Sequence, residues 1–248
     1  MKREQHRDTL LSVLLIGAVL LALEFYVRVN AVPQYVLPSP LKVISAFTAI
    51  LPELLRHGYV TFLETILGML IAAAFGVSVA IVMDAFPLVK SAVYPLLVVT
   101  QTVPAIVLAP IFIIYLGFGL APKILTVVLM CFFPITVSFA GGMEHVDQRL
   151  VNLVRSYGAS TTQVYTKVKI PAAAPQLFSG LKVAATYSIS GAVVGEWLSS
   201  DSGLGYYMLR VKNAYMLDKV FACVLMVILL SLLMNGLVRL AGRALIRP

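Results

Sequence analysis

Charged residues are scarce in this sequence. Only 12% of its 248 residues are Asp, Glu, Lys or Arg, whereas 60% are hydrophobic. A soluble domain of this composition would have to leave a large apolar area in contact with water, which the hydrophobic effect disfavours. The scarcity of charge therefore predicts a protein of the lipid bilayer and excludes an ordinary soluble domain.

Cysteine and histidine are equally rare. The two cysteines, Cys131 and Cys223, lie in apolar runs with no CxxC or Cys/His spacing, which indicates buried, unpaired thiols. The three histidines, His6, His57 and His145, have no carboxylate or cysteine at ligand spacing. We therefore expect no metal site.

Motifs for nucleotide binding and nucleophilic catalysis are missing. The sequence contains neither G-x-x-x-x-G-K-[ST] nor G-x-S-x-G, so we expect the chain neither to bind ATP through a P-loop nor to catalyse hydrolysis. A membrane-embedded enzyme would also need a cluster of His, Asp or Ser, and none is visible. The net charge of +8 comes without basic clusters interleaved with aromatics, which argues against nucleic acid as a partner.

Long apolar runs dominate what is present. A helix needs about 20 mostly apolar residues to cross a bilayer. The windows that meet this requirement are 9–27, 60–83, 92–115, 123–142, 176–198 and 219–241. We predict an all-α polytopic membrane protein, with about six transmembrane helices in one domain, 1–248. The first window lacks a small-residue cleavage site after it, so we expect a retained span.

The basic residues indicate an orientation. If the N-terminus is cytoplasmic, most of the 19 lysines and arginines fall in segments on the cytoplasmic side, as the positive-inside rule requires. Both termini and the loop 143–175 are therefore predicted to be cytoplasmic. The external segment 28–59 contains Pro38 and Pro40 before an amphipathic run, 41–55, which we expect along the outer interface.

Small residues recur every four positions in two predicted spans. The stripes are Gly68, Ala72, Gly76 and Ala80 in one span, and Gly180, Ala184, Ser188 and Ala192 in the other. Small residues let helix backbones approach each other closely. We expect packing inside the bundle, with a subunit interface as the alternative.

The third span contains Pro95, Pro104 and Pro110, with Gln101 and Thr102 between the first two prolines. Proline interrupts the backbone hydrogen bonds of a helix, so polar groups become available near the middle of the membrane. Broken helices often line a transport pathway. The alternative is an ordinary proline kink.

Three glutamates, Glu24, Glu64 and Glu196, lie in or at the ends of spans, where a carboxylate needs a partner or water. Glu196 ends the fifth span, so we expect it to act as a gate at the outer mouth. The alternative is an interfacial carboxylate that reaches water or accepts backbone hydrogen bonds. Glu24 and Glu64 are expected to make structural hydrogen bonds, without a basic neighbour on their own helix turns.

The loop between the fourth and fifth spans predicts helix, sharp turn and helix. A helical pattern runs from Asp147 to Tyr157, Gly158 is placed as a left-handed cap, and Ser160 with Gln163 forms a capping box. The second helix has an apolar face, with Lys167 and Lys169 facing solvent, and is expected to end at Pro171. Such a hairpin either lies on lipid headgroups or inserts into a groove of a soluble partner.

This loop resembles the EAA coupling loop of ABC-importer permeases, in which E-A-A-x-x-x-G-A precedes an apolar residue and proline at a fixed distance. Gly158, Ala159, Ile170 and Pro171 match, whereas Asn152-Leu153-Val154 replaces the E-A-A triplet. The resemblance implies contact with an ATPase, with Arg149 or Arg155 contributing in place of the missing acid. The coupling residues it implies are Asn152, Arg155, Gly158, Ala159, Ser160, Ile170 and Pro171.

Motifs along nearly the whole chain are similar to those of nitrate/sulfonate/taurine-type permeases. They are 37–40 (LPSP), Pro104 to Pro110, 116–119 (LGFG), 132–134 (FFP), 195–197 (GEW) and 203–206 (GLGY). Segments 131–135 and 191–196 look closest to the branch linked with thiamine pyrimidine precursors. The resemblance implies a type I ABC-importer permease fold with a cytoplasmic coupling helix-turn-helix, in a bacterial inner membrane.

The same resemblance implies the partners and the cargo. Besides membrane lipid, these are ABC ATPase subunits, which bind ATP and Mg in place of this chain, an extracytoplasmic binding protein and a second permease copy. The cargo implied is a small polar solute: an organosulfonate, a nitrate-like anion or a thiamine pyrimidine precursor, with a riboflavin-type vitamin as the alternative. The pathway residues we expect are Gln101, Thr102, Pro104, Ser188, Ser190 and Glu196.

A different class remains open beside the importer. An ion-coupled transporter or channel would use Glu64 and Glu196 as proton or cation sites, and the loop 143–175 would then be merely interfacial. Such transporters are often built from inverted repeats, and no inverted repeat is visible in this sequence. Its absence favours the importer.

Overall fold

The computed structural model describes residues 2–245, without the side chains of residues 2–10, Val13 and Ser199. All regular structure in this part of the chain is helical. The helices are α1 (Lys2–Val29), α2 (Pro40–Ala49), α3 (Leu51–Ala85), α4 (Pro87–Thr102), α5 (Ala105–Leu116), α6 (Leu120–Glu144), α7 (Gln148–Ser156), α8 (Thr161–Val164), α9 (Ile170–Ser199), α10 (Leu204–Asn213) and α11 (Leu217–Leu245). A π-helical turn, Tyr165–Lys169, joins α8 to α9.

Four of the described helices are long and apolar enough to cross a membrane: Leu51–Ala85, Leu120–Glu144, Thr161–Leu198 and Leu217–Leu245. Helices α4 and α5 add a fifth crossing if this bent pair is one span. The predicted first span, 9–27, lies in α1, where some side chains are outside the described part. Lys2, Arg3 and Arg7 also lie there, and Arg247 is beyond residue 245.

The chain forms two compact units. The first contains the residues up to His57 together with Tyr207–Met226. Within it, Ser39 caps α2 by accepting a hydrogen bond from the Lys42 amide, and Pro40 occupies the first turn. The predicted amphipathic run 41–55 is therefore interrupted near Ile50, where α2 ends and α3 begins.

Glu24 makes its expected structural hydrogen bond inside this first unit. Its carboxylate accepts from the Leu41 amide at 3.0 Å and from the Arg28 side chain at 2.5 Å. The expectation that Glu24 has no basic neighbour on its own helix was wrong. Arg28 is four residues further along α1, and side chains at this spacing lie next to each other on a helix.

The second unit, Gly58–Tyr206 with the residues from Val227 onward, is organised around α6. Buried Val127, Cys131 and Ile135 of α6 pack against Ala72 of α3 and Ala184 of α9. The two small-residue stripes provide this contact: a Cβ atom at Gly68 would lie 2.5 Å from the Val127 side chain, and one at Gly180 would lie 2.6 Å from the Pro134 carbonyl oxygen. Packing inside the bundle is confirmed for both stripes.

Both cysteines are free and buried, as predicted.

Candidate functional site

The predicted helix-turn-helix is present in the segment 145–170, called the coupling segment below. Asp147 caps α7, because its carboxylate accepts a hydrogen bond from the Arg149 amide at 2.8 Å. Gly158 has a φ of +82°, the left-handed conformation that favours glycine after a helix. Ser160 and Gln163 form both hydrogen bonds of the capping box. The predicted turn at Gly158 and the predicted capping box of Ser160 and Gln163 are confirmed.

The coupling segment has a buried and an exposed face. Val151 and Val164 are both 1% exposed and fix its inner side. On the outer side, Leu150, Leu153 and Tyr157 are exposed, the last by 85%. Three exposed apolar side chains on a short helix with two arginines, Arg149 and Arg155, form a surface that favours a protein partner.

The predicted coupling residues fall on this exposed side or at the helix that follows it. Asn152, Arg155, Gly158 and Ser160 are exposed, and Ala159 is half-buried. Ile170 is half-buried and Pro171 is exposed, both in the first turn of α9. Five of the seven positions therefore lie within 152–160, four of them exposed, and the other two begin α9.

Pro171 does not end the second helix, contrary to expectation. Residues Thr161–Leu198 form one continuous helix of 38 residues. Proline cannot donate to the carbonyl four residues earlier, and its ring crowds that carbonyl. The π-helical turn that precedes Pro171 removes this conflict, because the Ile170 amide bonds to the Tyr165 carbonyl five residues back. The loop proper therefore covers about 145–160, shorter than the predicted 143–175.

Lys169 does not face solvent either, whereas Lys167 does. The Lys169 ammonium lies 2.6 Å from the Asp84 carboxylate, and the Tyr165 hydroxyl donates to the same carboxylate at 2.6 Å. Asp84 is near the end of α3, and only 5% of its side chain is exposed. Lys169, which the sequence pattern assigned to a solvated face, thus binds the coupling segment to α3 together with Tyr165.

A second ion pair lies at the same end of the helix bundle. Lys90, in the first turn of α4, forms an ion pair with Glu144, the last residue of α6. Both side chains are more than a third exposed, so we expect this pair to add little to stability. Of the two ion pairs, the largely buried Asp84–Lys169 pair is therefore the main electrostatic contact between α3 and the coupling segment.

The third predicted span is two helices. α4 ends at Thr102, α5 begins at Ala105, and their axes differ by 102°, much more than a proline kink produces. Next to the break is a pocket of about 380 Å³. It is lined by Thr100, Gln101, Val103, Pro104, Ala105, Leu129, Met130, Phe133 and Tyr187. The break in the helix is confirmed and is sharper than an ordinary proline kink, whereas its place on a transport pathway stays a prediction.

The structure brings together only some of the predicted pathway residues. Gln101 and Pro104 line the pocket at the α4–α5 break, whereas Thr102 does not. The Thr102 hydroxyl donates to the Val99 carbonyl at 2.8 Å. Ser190 is exposed elsewhere on α9. Ser188 is fully buried and donates to the Ala185 carbonyl at 2.9 Å.

Glu196 is likewise buried, at 1% exposure, instead of reaching water. Its carboxyl group accepts hydrogen bonds from the Thr61 hydroxyl at 2.7 Å and from the Gly205 amide at 2.6 Å. The backbone-amide hydrogen bond that the alternative to a gate predicted is present, and the gating role stays a prediction. Gly203, with a φ of +104°, lies directly against this carboxyl group and leaves no room for a Cβ atom.

Glu64 makes an ion pair that its sequence context does not predict. Its carboxylate pairs with Lys123, and the two side chains are 1% and 6% exposed. Glu196 lies next to Glu64, and the Lys123 ammonium also donates to the Ser200 hydroxyl at 3.1 Å. We call Glu64, Lys123 and Glu196, with Thr61 and Ser200, the buried charge network.

A signal for this network was available in the sequence. Glu64 and Lys123 begin two predicted spans and Glu196 ends a third, so antiparallel crossing places all of them at one end of the bundle. The network joins α3, α6, α9 and the segment after α9, because Thr61 also accepts from the Leu204 amide at 2.8 Å. It lies at the opposite end of α9 from the coupling segment.

Comparison with known proteins agrees with this geometry. Residues 66–247 match the family described as binding-protein-dependent transport system inner membrane component. The chain is 32% identical over 219 residues to a probable ABC transporter permease protein of Haemophilus influenzae, covering 88% of this chain and 89% of that protein.

Two further relatives have named cargoes. The formylaminopyrimidine transport permease protein ThiX of Halalkalibacterium halodurans is 33% identical over 200 residues, which is 80% of each chain. The putative aliphatic sulfonates transport permease protein SsuC of Bacillus subtilis is 29% identical over 237 residues, covering 94% of this chain and 86% of that protein. The predicted resemblance is confirmed, and it covers nearly the whole chain.

A multi-pass helical bundle, a capped coupling segment and a match over most of the chain lead to one assignment. The function of such a chain is transport and not catalysis, in a complex that includes an ATPase and a binding protein. This chain belongs to the binding-protein-dependent transport system inner membrane components, the permease subunits of ABC transporters.

Proposed function

We propose that this chain imports a small polar solute as one of two identical permease copies, with both termini and the coupling segment on the cytoplasmic side. The observation that carries the proposal is the coupling segment itself. It has a capped helix with exposed Leu150, Leu153 and Tyr157, and it is anchored by the Asp84–Lys169 ion pair. A surface that is both apolar and firmly held is suited to receive force from a partner.

The movement would pass through one helix. Thr161–Leu198 runs without interruption from the coupling segment to Glu196, a length of about 57 Å at 1.5 Å per residue. When the ATPase subunits close on ATP, displacement of the coupling segment carries α9 with it. The buried charge network then transmits the displacement to α3 and α6 at the far end.

We further propose that the pocket at the α4–α5 break is part of the solute pathway. Its lining includes Gln101, Phe133 and Tyr187 and no charged side chain. An uncharged lining with one amide and two aromatic rings favours a neutral heteroaromatic solute, which stacks and exchanges hydrogen bonds. A sulfonate needs a cation or several donors, so we place a pyrimidine precursor first and an aliphatic sulfonate second.

The transport assay that tests this uses the complete transporter in proteoliposomes, with ATP inside and the binding protein outside. We expect uptake of a formylaminopyrimidine and little uptake of an aliphatic sulfonate. Sulfonate uptake alone would reverse the order of the two candidates. Uptake driven by a proton or sodium gradient without ATP would contradict the proposal and support the ion-coupled alternative.

The second copy is tested separately by the mass of the purified complex in mild detergent. We expect two permease chains for each two ATPase subunits. One permease chain per complex would contradict the homodimer while leaving the membership of the family intact.

A further inference from the structure

A basic pocket lies between α9 and α11, away from the coupling segment, the α4–α5 break and the buried charge network. Its volume is about 660 Å³, and its lining consists of Pro175, Phe178, Ser179, Lys182, Arg239, Gly242 and Arg243. The two helices are in close contact here, since a Cβ atom at Gly242 would lie 3.0 Å from the Phe178 ring. The pocket is therefore a fixed feature of helix packing.

The charge of this pocket is uncompensated. Lys182, Arg239 and Arg243 are all exposed, and none has an ion pair among the side chains that the structure describes. The only acidic residues of α9 and α11 are Glu196 and Asp218, each near the other end of its helix. At 1.5 Å per residue they are about 20 Å or more away along the helix axes. Three cations thus converge without a counter-ion from their own helices.

The surroundings of the pocket are those of a lipid interface. Phe178 is 8% exposed and forms the apolar floor. Toward the middle of the span, the side chains of Val183 on α9 and Leu232 on α11 are 47% and 65% exposed, and that of Leu240, between the two arginines, is 61% exposed. A ligand in this position has an anionic group beside the cations and an apolar part along exposed leucines. Both features belong to a phospholipid and only the first to a soluble anion.

We propose that this pocket binds the headgroup of an anionic phospholipid. The phosphodiester oxygens accept hydrogen bonds from Lys182, Arg239 and Arg243, and the acyl chains lie along the exposed apolar side of α11. Arginine suits this role because its guanidinium group offers paired donors to a phosphate. Given the orientation proposed above, the lipid belongs to the cytoplasmic leaflet, where basic pockets between spans bind such headgroups.

The test is native mass spectrometry of the purified full-length chain, titrated with phosphatidylglycerol or phosphatidylcholine in mixed micelles. We expect saturable binding of phosphatidylglycerol and none of phosphatidylcholine at the same concentration. The triple variant K182Q/R239Q/R243Q should bind on the order of a hundredfold more weakly, because each cation near a membrane surface contributes roughly a factor of five. Equal binding by wild type and triple variant would overturn the proposal.

A control variant removes three positive charges from another part of the chain. The variant R56Q/R210Q/K212Q loses three exposed cations that are not part of this pocket, and it should bind phosphatidylglycerol as wild type does. Lys182→Arg keeps the charge and should also retain binding, which separates loss of the site from loss of the fold. If the control variant weakens binding as much as the triple variant, the attraction is a general effect of net charge and the site is refuted.

Two further experiments distinguish a bound lipid from a soluble anion or a protein in this pocket. Millimolar inorganic phosphate should not displace the lipid; displacement would indicate a site for soluble anions and contradict the proposal. In the assembled transporter, a photo-crosslinking residue in place of Ser179 should yield a lipid adduct. An adduct with an ATPase subunit or with a second copy of this chain would show that protein covers the pocket and would overturn the lipid assignment.

Discussion

At the scale of single residues, the buried charge network shows how a membrane protein keeps charges away from water. Glu64 and Lys123 are almost completely buried, so each depends on the other to offset the loss of hydration. Removing one partner is therefore far more harmful than removing both. This asymmetry distinguishes a buried pair from the exposed Lys90–Glu144 pair at the other end of the bundle.

We expect Lys123→Met to lower the free energy of unfolding by about 3–5 kcal/mol, because it leaves the Glu64 carboxylate buried without its cation. The double variant Glu64→Gln/Lys123→Met should recover most of that loss. Thermal unfolding of the purified chain in detergent measures both. Lys90→Met is the control and should change stability by about 1 kcal/mol or less. A loss for Lys90→Met equal to that for Lys123→Met would contradict the account.

Gly158 provides the residue-scale test of coupling. Gly158→Val should abolish ATP-driven uptake without affecting insertion or stability greatly, since a β-branched residue is strained at a φ of +82°. Apart from its two chain neighbours, no atom of the described residues lies within 4 Å of the position that its Cβ would occupy, so we expect the effect to come from the backbone. Gly158→Asn is the control, because asparagine tolerates the left-handed conformation, and it should retain uptake. Full uptake by the valine variant would refute the role of the turn.

At the scale of helices, the Asp84–Lys169–Tyr165 cluster anchors the coupling segment to α3. Lys169→Gln should lower the free energy of unfolding by about 2 kcal/mol, because a largely buried carboxylate loses a charged donor. It should also reduce the stimulation of the ATPase by the loaded binding protein. Lys167→Gln, two residues away and exposed, should change stability by less than about 0.5 kcal/mol. Similar effects of the two variants would contradict the anchor.

Helix ends that are set by neighbouring residues in the sequence could be predicted, whereas those that involve distant residues could not. The caps at Asp147, Gly158 and Ser160 follow from short-range hydrogen bonds and backbone conformation, and the sequence predicted the last two. The end at Pro171 was predicted wrongly, because a proline normally stops a helix unless a wider turn removes its clash. Tyr165 and Lys169, the first and last residues of that π-helical turn, contact Asp84 some 80 residues earlier, and no local pattern contains this contact.

The same distinction applies to the candidate sites. Long apolar windows predicted the spans because transfer into lipid acts on each segment alone. The partner of Glu64 is on a different helix, so composition showed only that one was needed. Ser188 and Glu196 were expected along the pathway, but both are buried between helices. Which side of a helix faces a cavity is decided by packing, to which small residues such as Gly180 and Ala184 contribute.

At the scale of the whole molecule, Gln101 lines the pocket at the α4–α5 break, whereas its neighbour Thr102 does not. Gln101→Leu should raise the KM for uptake up to about tenfold, the equivalent of one hydrogen bond. Thr102→Val is the control, because the Thr102 hydroxyl is used within α4, and its KM should be unchanged. An unchanged KM for Gln101→Leu would place the solute pathway elsewhere.

We propose that the coupling segment receives force from an ATPase. Cysteine crosslinking in native membranes tests it most directly, since Cys131 and Cys223 are fully buried and the natural chain should give little background. Leu153→Cys, on the exposed side of α7, should form a disulfide with a single cysteine in the ATPase, at a yield that changes with ATP. Phe118 is 82% exposed just before the first residue of α6, at the end away from α7. Phe118→Cys should therefore form no disulfide with the ATPase. Efficient crosslinking of Phe118→Cys with none for Leu153→Cys would contradict the account.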